Sequence, residues 1–307
     1  MKTGAVFHCA RTIALACAIG APLSTQAQNY PSRSISLYIG YAAGATTDLS
    51  ARALAESLRK VLGVSVVAEN KPGASAGVAT TLVAKAKPDG YTLGVVSTGV
   101  ITVRPHMFKT QYDPFRDIVP IAQYSRYVGA LTVLASAPYK TVDDFIAYAK
   151  AHPGLSYSSA GLHTQQQLAT ELFRMCKGLE FTHVPAKGGS EANVMLMGKH
   201  VDFTAGSGGH LQYVKEGRMR MLLLFNTDKR DPSYPDVPTM REIGCQDAPA
   251  LGYIVIAPSG MPEAVQKTLG DAVRRAVESS EFQAILSKLE IPYEYKDRAQ
   301  LEKDTAE

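Results

Sequence analysis

The chain has 307 residues, of which 46% are apolar and 20% are charged, and its formal net charge is +4. This composition supplies enough apolar surface for a folded core, which excludes an intrinsically disordered protein, and the length is typical of about two domains. The charge is spread without a run of Lys or Arg, which argues against a nucleic-acid-binding protein.

The first predicted element is a secretory signal peptide, residues 1–27. Arg11 precedes a short apolar run, Ile13 to Ile19, and Ala27 ends a small-residue segment that suits a signal peptidase. A membrane anchor is excluded because the run is far shorter than the ~20 residues that cross a bilayer. A lipoprotein modified at Cys17 is the alternative. Either interpretation predicts an exported protein.

Downstream, short apolar runs alternate with amphipathic segments. The runs predict strands over residues 34–39, 64–68, 91–97, 118–123, 131–135, 155–159, 181–184, 201–204, 219–225 and 251–257. Helical periodicity predicts helices over residues 47–62, 78–86, 141–151, 164–175, 191–197, 262–278 and 280–289, followed by a polar tail. The alternating order predicts parallel sheets with helices on their faces. Two such α/β units, with C-terminal helices that return to the first, predict two lobes around a cleft.

Two cysteines remain after the signal peptide, Cys176 and Cys245. Because an exported protein can form disulfides, we expect them either to pair or to be two buried free thiols. The histidines lack the spacing of a metal site, and no phosphate-binding glycine motif occurs. Neither a metal nor a nucleotide cofactor is therefore expected.

One motif suggests an enzyme. The segment Gly73 to Gly77 matches G-x-S-x-G, the nucleophile elbow of serine hydrolases, with Ser75 as the nucleophile. The elbow requires a strand that runs directly into the turn, whereas Asn70-Lys71-Pro72 intervenes here. A secreted serine hydrolase that uses Ser75 is therefore the alternative function and not the favoured one.

Three loops that follow predicted strands are rich in small and hydroxyl residues and lead into helices. Small residues let a ligand approach the backbone, and free N–H groups at a helix N-terminus bind carboxylates without Lys or Arg. Helix capping alone explains Thr46, Thr47, Asp48 or Thr164 taken singly, and His163 is typical of a surface loop. Because three such loops occur together, binding is the favoured interpretation.

The chain also carries short segments in a characteristic order. They are residues 30–35 (YPSRSI), 67–74 (VAENKPGA), 86–93 (AKPDGYTL), 112–115 (YDPF), 183–185 (HVP) and 235–239 (PDVPT). Together they resemble the receptors of tripartite tricarboxylate transporters, which are Bug-type periplasmic solute-binding proteins. The resemblance implies an α/β, two-lobed periplasmic-binding-protein fold (Venus flytrap, type II) with two hinge crossover strands, and it implies no catalysis.

The implied domains are a first lobe, residues 28–127 plus 256–307, and a second lobe, residues 128–255. The implied function is capture of a small organic carboxylate in the periplasm and its delivery to a permease with a large and a small integral membrane subunit. A ligand-binding partner of a membrane sensor is the alternative within this family. We expect a monomer without a cofactor, a metal or a nucleic-acid partner.

The predicted cleft departs from the family pattern. Ala42-Ala43-Gly44-Ala45 stands where Pro-Pro-Gly-Gly is usual, Leu162 and His163 stand in a loop that usually reads Gly-x-Gly-Ser, and residues 206–209 are glycine-rich. These changes predict a carboxylate ligand with an apolar or aromatic body rather than citrate. The predicted ligand-binding residues, from the loops and the resemblance together, are Tyr41, Gly44, Ala45, Thr46, Thr47, Asp48, Ser97, Thr98, Gly161, His163, Thr164 and Gly206.

Overall fold

The computed structural model describes residues 30–206, 209–227 and 229–306. The predicted signal peptide, residues 1–27, lies outside the described residues, as do positions 207 and 208 of the glycine-rich segment. Among the helices of the described part of the chain, none combines the length and the hydropathy that a membrane crossing requires.

Eleven strands and eleven helices form within the described residues. The strands are β1 Ile35–Ile39, β2 Val66–Asn70, β3 Thr92–Ser97, β4 Ile118–Arg126, β5 Ala130–Leu134, β6 Leu155–Ser159, β7 Phe181–Pro185, β8 Phe203–Gly206, β9 Met219–Leu224, β10 Gly252–Pro258 and β11 Tyr293–Asp297. The helices are α1 Thr46–Leu62, α2 Gly77–Ala84, α3 Gly99–Thr102, α4 Arg104–Met107, α5 Val142–Ala151, α6 Gln165–Lys177, α7 Gly189–Met197, α8 His210–Lys215, α9 Glu263–Val277, α10 Ser280–Lys288 and α11 Arg298–Ala306. The sequence patterns do not predict α3, α4, α8, β11 or α11, which are short or polar.

The first sheet is mixed, with the strand order β11-β4-β10-β3-β1-β2. Strand β1 pairs in parallel with both β2 and β3, which confirms the parallel arrangement predicted for the first three strands. Strand β10 instead pairs antiparallel with β3 and β4, and β11 pairs antiparallel with β4. The late strands β10 and β11 thus belong to the same sheet as the early strands β1, β2 and β3.

The second sheet has the strand order β7-β6-β8-β5-β9. We call the units built on the first and second sheets the first and second lobe. The chain crosses to the second lobe after β4 and returns through β10, and these two strands pair with each other. The lobe boundary predicted from the sequence puts residues 252–255 in the second lobe, whereas β10 pairs within the first sheet from Gly252 onward. A Cβ added at Gly252 would lie 2.3 Å from the Ser125 carbonyl oxygen, so the two crossovers touch backbone to backbone.

Apolar side chains from both ends of the chain build the core of the first lobe. Leu54 and Leu58 of α1 pack in one cluster with Leu269 and Val273 of α9 and with Phe282 of α10. The C-terminal helices therefore return to the first lobe, as the sequence predicts. Helix α1 ends where predicted, because Gly63 adopts the left-handed conformation that a C-terminal cap requires.

The second lobe has a core rich in phenylalanine and one disulfide. Phe145, Phe173 and Phe203 are completely buried in the same cluster. Cys176, near the end of α6, is bonded to Cys245, and their Cα atoms are 5.8 Å apart. The structure thus favours the disulfide over the two free thiols that the sequence left open.

Candidate functional site

A cavity of about 600 Å³ lies between the two lobes, and we call it the chamber. Its volume is in the range of small-molecule binding sites. The loop after β1, the segment before α2 and helix α4 line it from the first lobe, and the loops after β6 and β7 line it from the second. Phe108, Leu162 and Pro185 give it apolar walls, whereas Arg104 and Lys187 bring positive charge. Among the described lining residues there is no Asp or Glu.

A second, much smaller cavity adjoins the chamber, because Tyr41 and Ala160 line both. Its volume is about 20 Å³, which leaves room for about one water molecule. Its lining residues are Tyr41, Ala45, Thr46, Thr47, Tyr127, Ala160, Gln166, Gly189, Ser190 and Tyr253. Helices α1, α6 and α7 begin here, so their free N–H groups and partial positive charges face this cavity, an arrangement that suits an anion or a bridging water.

Asp48 holds the loop between β1 and α1. Its carboxylate is only 2% exposed and accepts hydrogen bonds from the Gly44 N–H at 2.9 Å and from Nδ2 of Asn70 at 2.7 Å. Arg52 donates a third bond through Nε at 2.9 Å. The same Asn70 nitrogen also donates to the Tyr41 carbonyl at 3.0 Å. Asp48 therefore shapes the loop from inside the first lobe and lines neither cavity.

Tyr41 is the residue of this loop that faces both cavities. Its hydroxyl donates a hydrogen bond to Oγ of Ser97 at 3.0 Å, and burial raises the pKa of Tyr41, so the hydroxyl stays protonated. The next residue, Thr98, has a different role. Its N–H donates a hydrogen bond to the Gly252 carbonyl at 3.0 Å and connects the end of β3 to the crossover strand β10. Ser97 thus supports Tyr41, and Thr98 supports the hinge.

The loop after β6 brings second-lobe groups to the chamber. Oγ1 of Thr164 accepts a hydrogen bond from the Gln167 N–H at 3.3 Å and caps α6, which is the capping role that its sequence position suggests. His163 adopts a left-handed backbone conformation, with φ 55°. Its ring stacks on Phe108 of the first lobe, with 5.3 Å between ring centroids. His163 is therefore a contact between the lobes and lines the chamber.

The lobes touch at two further points, so the cleft is closed in this structure. Ser75 Oγ donates a hydrogen bond to the Leu162 carbonyl at 2.5 Å. A Cβ added at Gly161 would lie 2.8 Å from the same Ser75 Oγ, so a side chain at this position would push against the contact between the lobes. Near the smaller cavity, a Cβ added at Gly209 would lie 3.2 Å from Oγ1 of Thr46.

The structure does not support Ser75 as a hydrolase nucleophile. Strand β2 ends at Asn70 and α2 begins only at Gly77, so no strand runs directly into the turn. The Ser75 hydroxyl binds a backbone carbonyl instead of a histidine. His183 has a different hydroxyl partner, since its Nε2 lies 2.8 Å from Oγ of Ser159.

The predicted ligand-binding residues fall into three groups. Tyr41, Gly161 and His163 line the chamber, and Tyr41, Ala45, Thr46 and Thr47 line the smaller cavity. The residues that line neither cavity are Gly44, Asp48, Ser97, Thr98, Thr164 and Gly206. Gly206 packs against the His210 ring instead. A Cβ added at Gly206 would lie 2.7 Å from Cδ2 of His210.

The chamber wall also contains Arg104, Phe108 and Lys187, which are not among the ligand-binding residues predicted from the sequence. Arg104 and Phe108 belong to a segment after β3 for which no element is predicted, because its helices are only four residues each. A usable signal is present, since Arg104 is a lone charge that directly follows the apolar stretch of α3.

Two α/β lobes, joined by paired crossover strands and closed over a chamber, define a solute-binding protein of the two-lobed type. Residues 50–307 match the family model described as the tripartite tricarboxylate transporter family receptor. The chain belongs to this family, which confirms the family predicted from the sequence. Members of the family are periplasmic solute-binding proteins, and this chain is accordingly a solute-binding protein and not an enzyme.

Relatives and solved structures agree with this assignment. The UPF0065 protein in gbd 5'region of Cupriavidus necator is 36% identical over 287 residues, which cover 93% of this chain and 87% of the relative. MatC from Rhodopseudomonas palustris, solved with bound malate, superimposes with a TM-score of 0.81 at 27% identity, covering 90% of this chain and 98% of MatC. R. palustris Rpa4515 with adipate gives a TM-score of 0.80 at 29% identity, covering 90% of this chain and 95% of Rpa4515.

Proposed function

We propose that this protein is a periplasmic receptor that captures a small organic carboxylate and delivers it to a membrane permease. The observation that carries the proposal is the closed chamber, whose described lining residues include cations and no acid, beside a cavity where three helices begin. Such an environment favours an anion and disfavours a cation. The malate and adipate in the two R. palustris structures are both carboxylates, which supports the same ligand class.

The walls of the chamber suit a ligand with an apolar or aromatic body. Phe108 and Leu162 are each about half exposed, with 49% and 50% of their surface accessible, although both line the chamber. A ligand body placed between them would remove this apolar surface from water, at about 25 cal/mol for each Å². The carboxylate would lie toward Tyr41, where a water in the smaller cavity bridges it to the helix N-termini.

Two observations support export of this protein to the periplasm and delivery of its ligand to a permease. Residues 1–27 have the pattern of a cleavable signal peptide, and family members are periplasmic. The family description names a tripartite transporter, which supports a large and a small integral membrane subunit as partners. Capture in the periplasm followed by hinge closure would present the loaded, closed receptor to those subunits.

A panel of carboxylates tests the ligand class. We expect a matching aliphatic or aromatic acid, at about 100 times its Kd, to raise the free energy of unfolding by about 3 kcal/mol, because it binds only the native state. Thermal shift with aliphatic acids, aromatic acids, citrate and neutral sugars measures this effect, and calorimetry gives the Kd. Stabilisation by citrate alone would contradict the apolar ligand body, and stabilisation by none of the acids would contradict the function.

Closure can be tested at Gly161. We expect Gly161→Ala to weaken binding of the best acid in the panel about 10-fold or more, because the new Cβ meets Ser75 Oγ only when the lobes close. Overpacking of this kind opposes the closed state by about 1–3 kcal/mol. Isothermal titration calorimetry measures the change in Kd.

The matched control for this variant is Gly154→Ala. Gly154 also has a positive φ, 89°, but nothing lies within 4 Å of its added Cβ. The backbone strain is therefore present without the contact between lobes, and binding should stay at the wild-type level. Adding Ser75→Ala to Gly161→Ala should restore part of the lost affinity. Equal weakening by both glycine variants would show that strain, and not closure, causes the effect.

A further inference from the structure

Arg104 places a charge in the chamber wall that the described part of the chain does not neutralise. The residue is only 6% exposed, and its Nε is buried without a hydrogen-bond partner. Among the described residues, no Asp or Glu lines the chamber or the groove on the other side of Arg104. An unpaired buried charge is strongly unfavourable, so a group with this environment requires a counter-ion from elsewhere.

The surroundings of Arg104 add positive potential and keep space for the guanidinium. The Phe108 ring lies beneath it, with 5.0 Å from Cζ to the ring centroid. Gly77, the first residue of α2, leaves the room that a side chain would fill, since its added Cβ would lie 2.9 Å from Nε of Arg104. The positive end of the α2 dipole therefore faces the same region. Lys187 faces the chamber from the second lobe.

We propose that Arg104 forms a second anion subsite in the chamber, which binds a carboxylate of the ligand other than the one held near the N-termini of α1, α6 and α7. The planar guanidinium matches a carboxylate in a two-bond arrangement, and Lys187 adds charge when the lobes close. Arg104 thereby determines specificity, because it selects acids with a second anionic group over monoacids of the same length. The inference rests on the proposed function and assigns a role to a residue that the predicted site did not include.

Matched acid pairs provide the test, namely adipate with hexanoate and terephthalate with benzoate. We expect the wild-type protein to bind the diacid of at least one pair about 10- to 100-fold more tightly than the monoacid, the range for hydrogen bonds to a charged group. Arg104→Gln should lose this preference by weakening the diacid and leaving the monoacid nearly unchanged. Arg104→Lys should keep part of it. Lys109→Gln is the control, because Lys109 lines the outer groove and not the chamber.

A second readout separates binding from a structural role. Without ligand, Arg104→Gln should melt at the wild-type temperature or above, because it removes an unpaired buried charge. If that variant does not fold, Gly77→Ala replaces it, since its methyl group displaces the guanidinium without changing the charge, and it should also lower the diacid preference. A wild-type protein that binds monoacids as tightly as diacids, or a variant that weakens both equally, overturns the Arg104 subsite alone. Failure of every acid to bind overturns the proposed function as well.

Discussion

Reduction of the disulfide between Cys176 and Cys245 should lower the free energy of unfolding of the second lobe by about 4 kcal/mol. The two cysteines are 69 residues apart in the sequence, and the bond restricts the unfolded chain over that whole loop. Chain entropy for a loop of this length corresponds to about 4 kcal/mol. For a protein of this size, the melting temperature should fall by about 8 °C, measured by calorimetry with and without a phosphine reductant.

The control is the double variant Cys176→Ser with Cys245→Ser. Its melting temperature should match that of the reduced wild-type protein, and the reductant should not lower it further. Neither cysteine lines the chamber, so the Kd for the best carboxylate should stay close to the wild-type value. Identical melting of the oxidised and reduced proteins would contradict a stabilising bond.

The local sequence pattern predicts those parts of the fold whose packing is periodic. Strand β1 alternates buried and half-buried residues, and α1 buries Leu54 and Leu58 on one face, so both are predicted within one residue of their bounds. The C-terminal β11 is different. It forms an edge strand whose residues, Tyr293 to Asp297, are partly or fully exposed, and α11 buries Leu301 against the first lobe. Their stability depends on contacts distant in sequence, which no local pattern reveals.

The candidate site, too, is predicted from the sequence only in part. Loops that lead into helices were predicted as binding loops, and they do line the two cavities through Tyr41, Thr46 and Gly161. Small polar residues in such loops also serve as caps or braces, and only the folded structure separates these roles. Asp48, for example, reaches back to the Gly44 N–H and does not line a cavity. The sequence does not predict Arg104, because its burial and the absence of a hydrogen-bond partner for its Nε among the described residues are properties of the assembled lobe.

Acidification is expected to destabilise the second lobe through His210. The side chain is completely buried, and this burial alone lowers the pKa of His210 from 6.5 to about 4. Between these two values the unfolded chain binds a proton that the native protein does not bind. The free energy of unfolding therefore falls as the pH drops from about 6.5 to 4, by about 3 kcal/mol in total, and no loss from this group occurs above that range.

The variant His210→Asn isolates this contribution. It removes the titrating group, so its stability should depend less steeply on pH over the same window, whatever its absolute stability at neutral pH. Urea titrations of both proteins at pH 7, 6, 5 and 4 give the difference in the free energy of unfolding, which should shrink by about 3 kcal/mol toward the lowest pH. A difference that is constant with pH would contradict the depressed pKa. The expected loss of stability can also be assigned to one part of the molecule. His210 packs against Gly206, and the adjacent Gly209 lies close to Thr46 of the first lobe. The buried, neutral His210 thus stabilises the part of the second lobe that lies beside the start of α1.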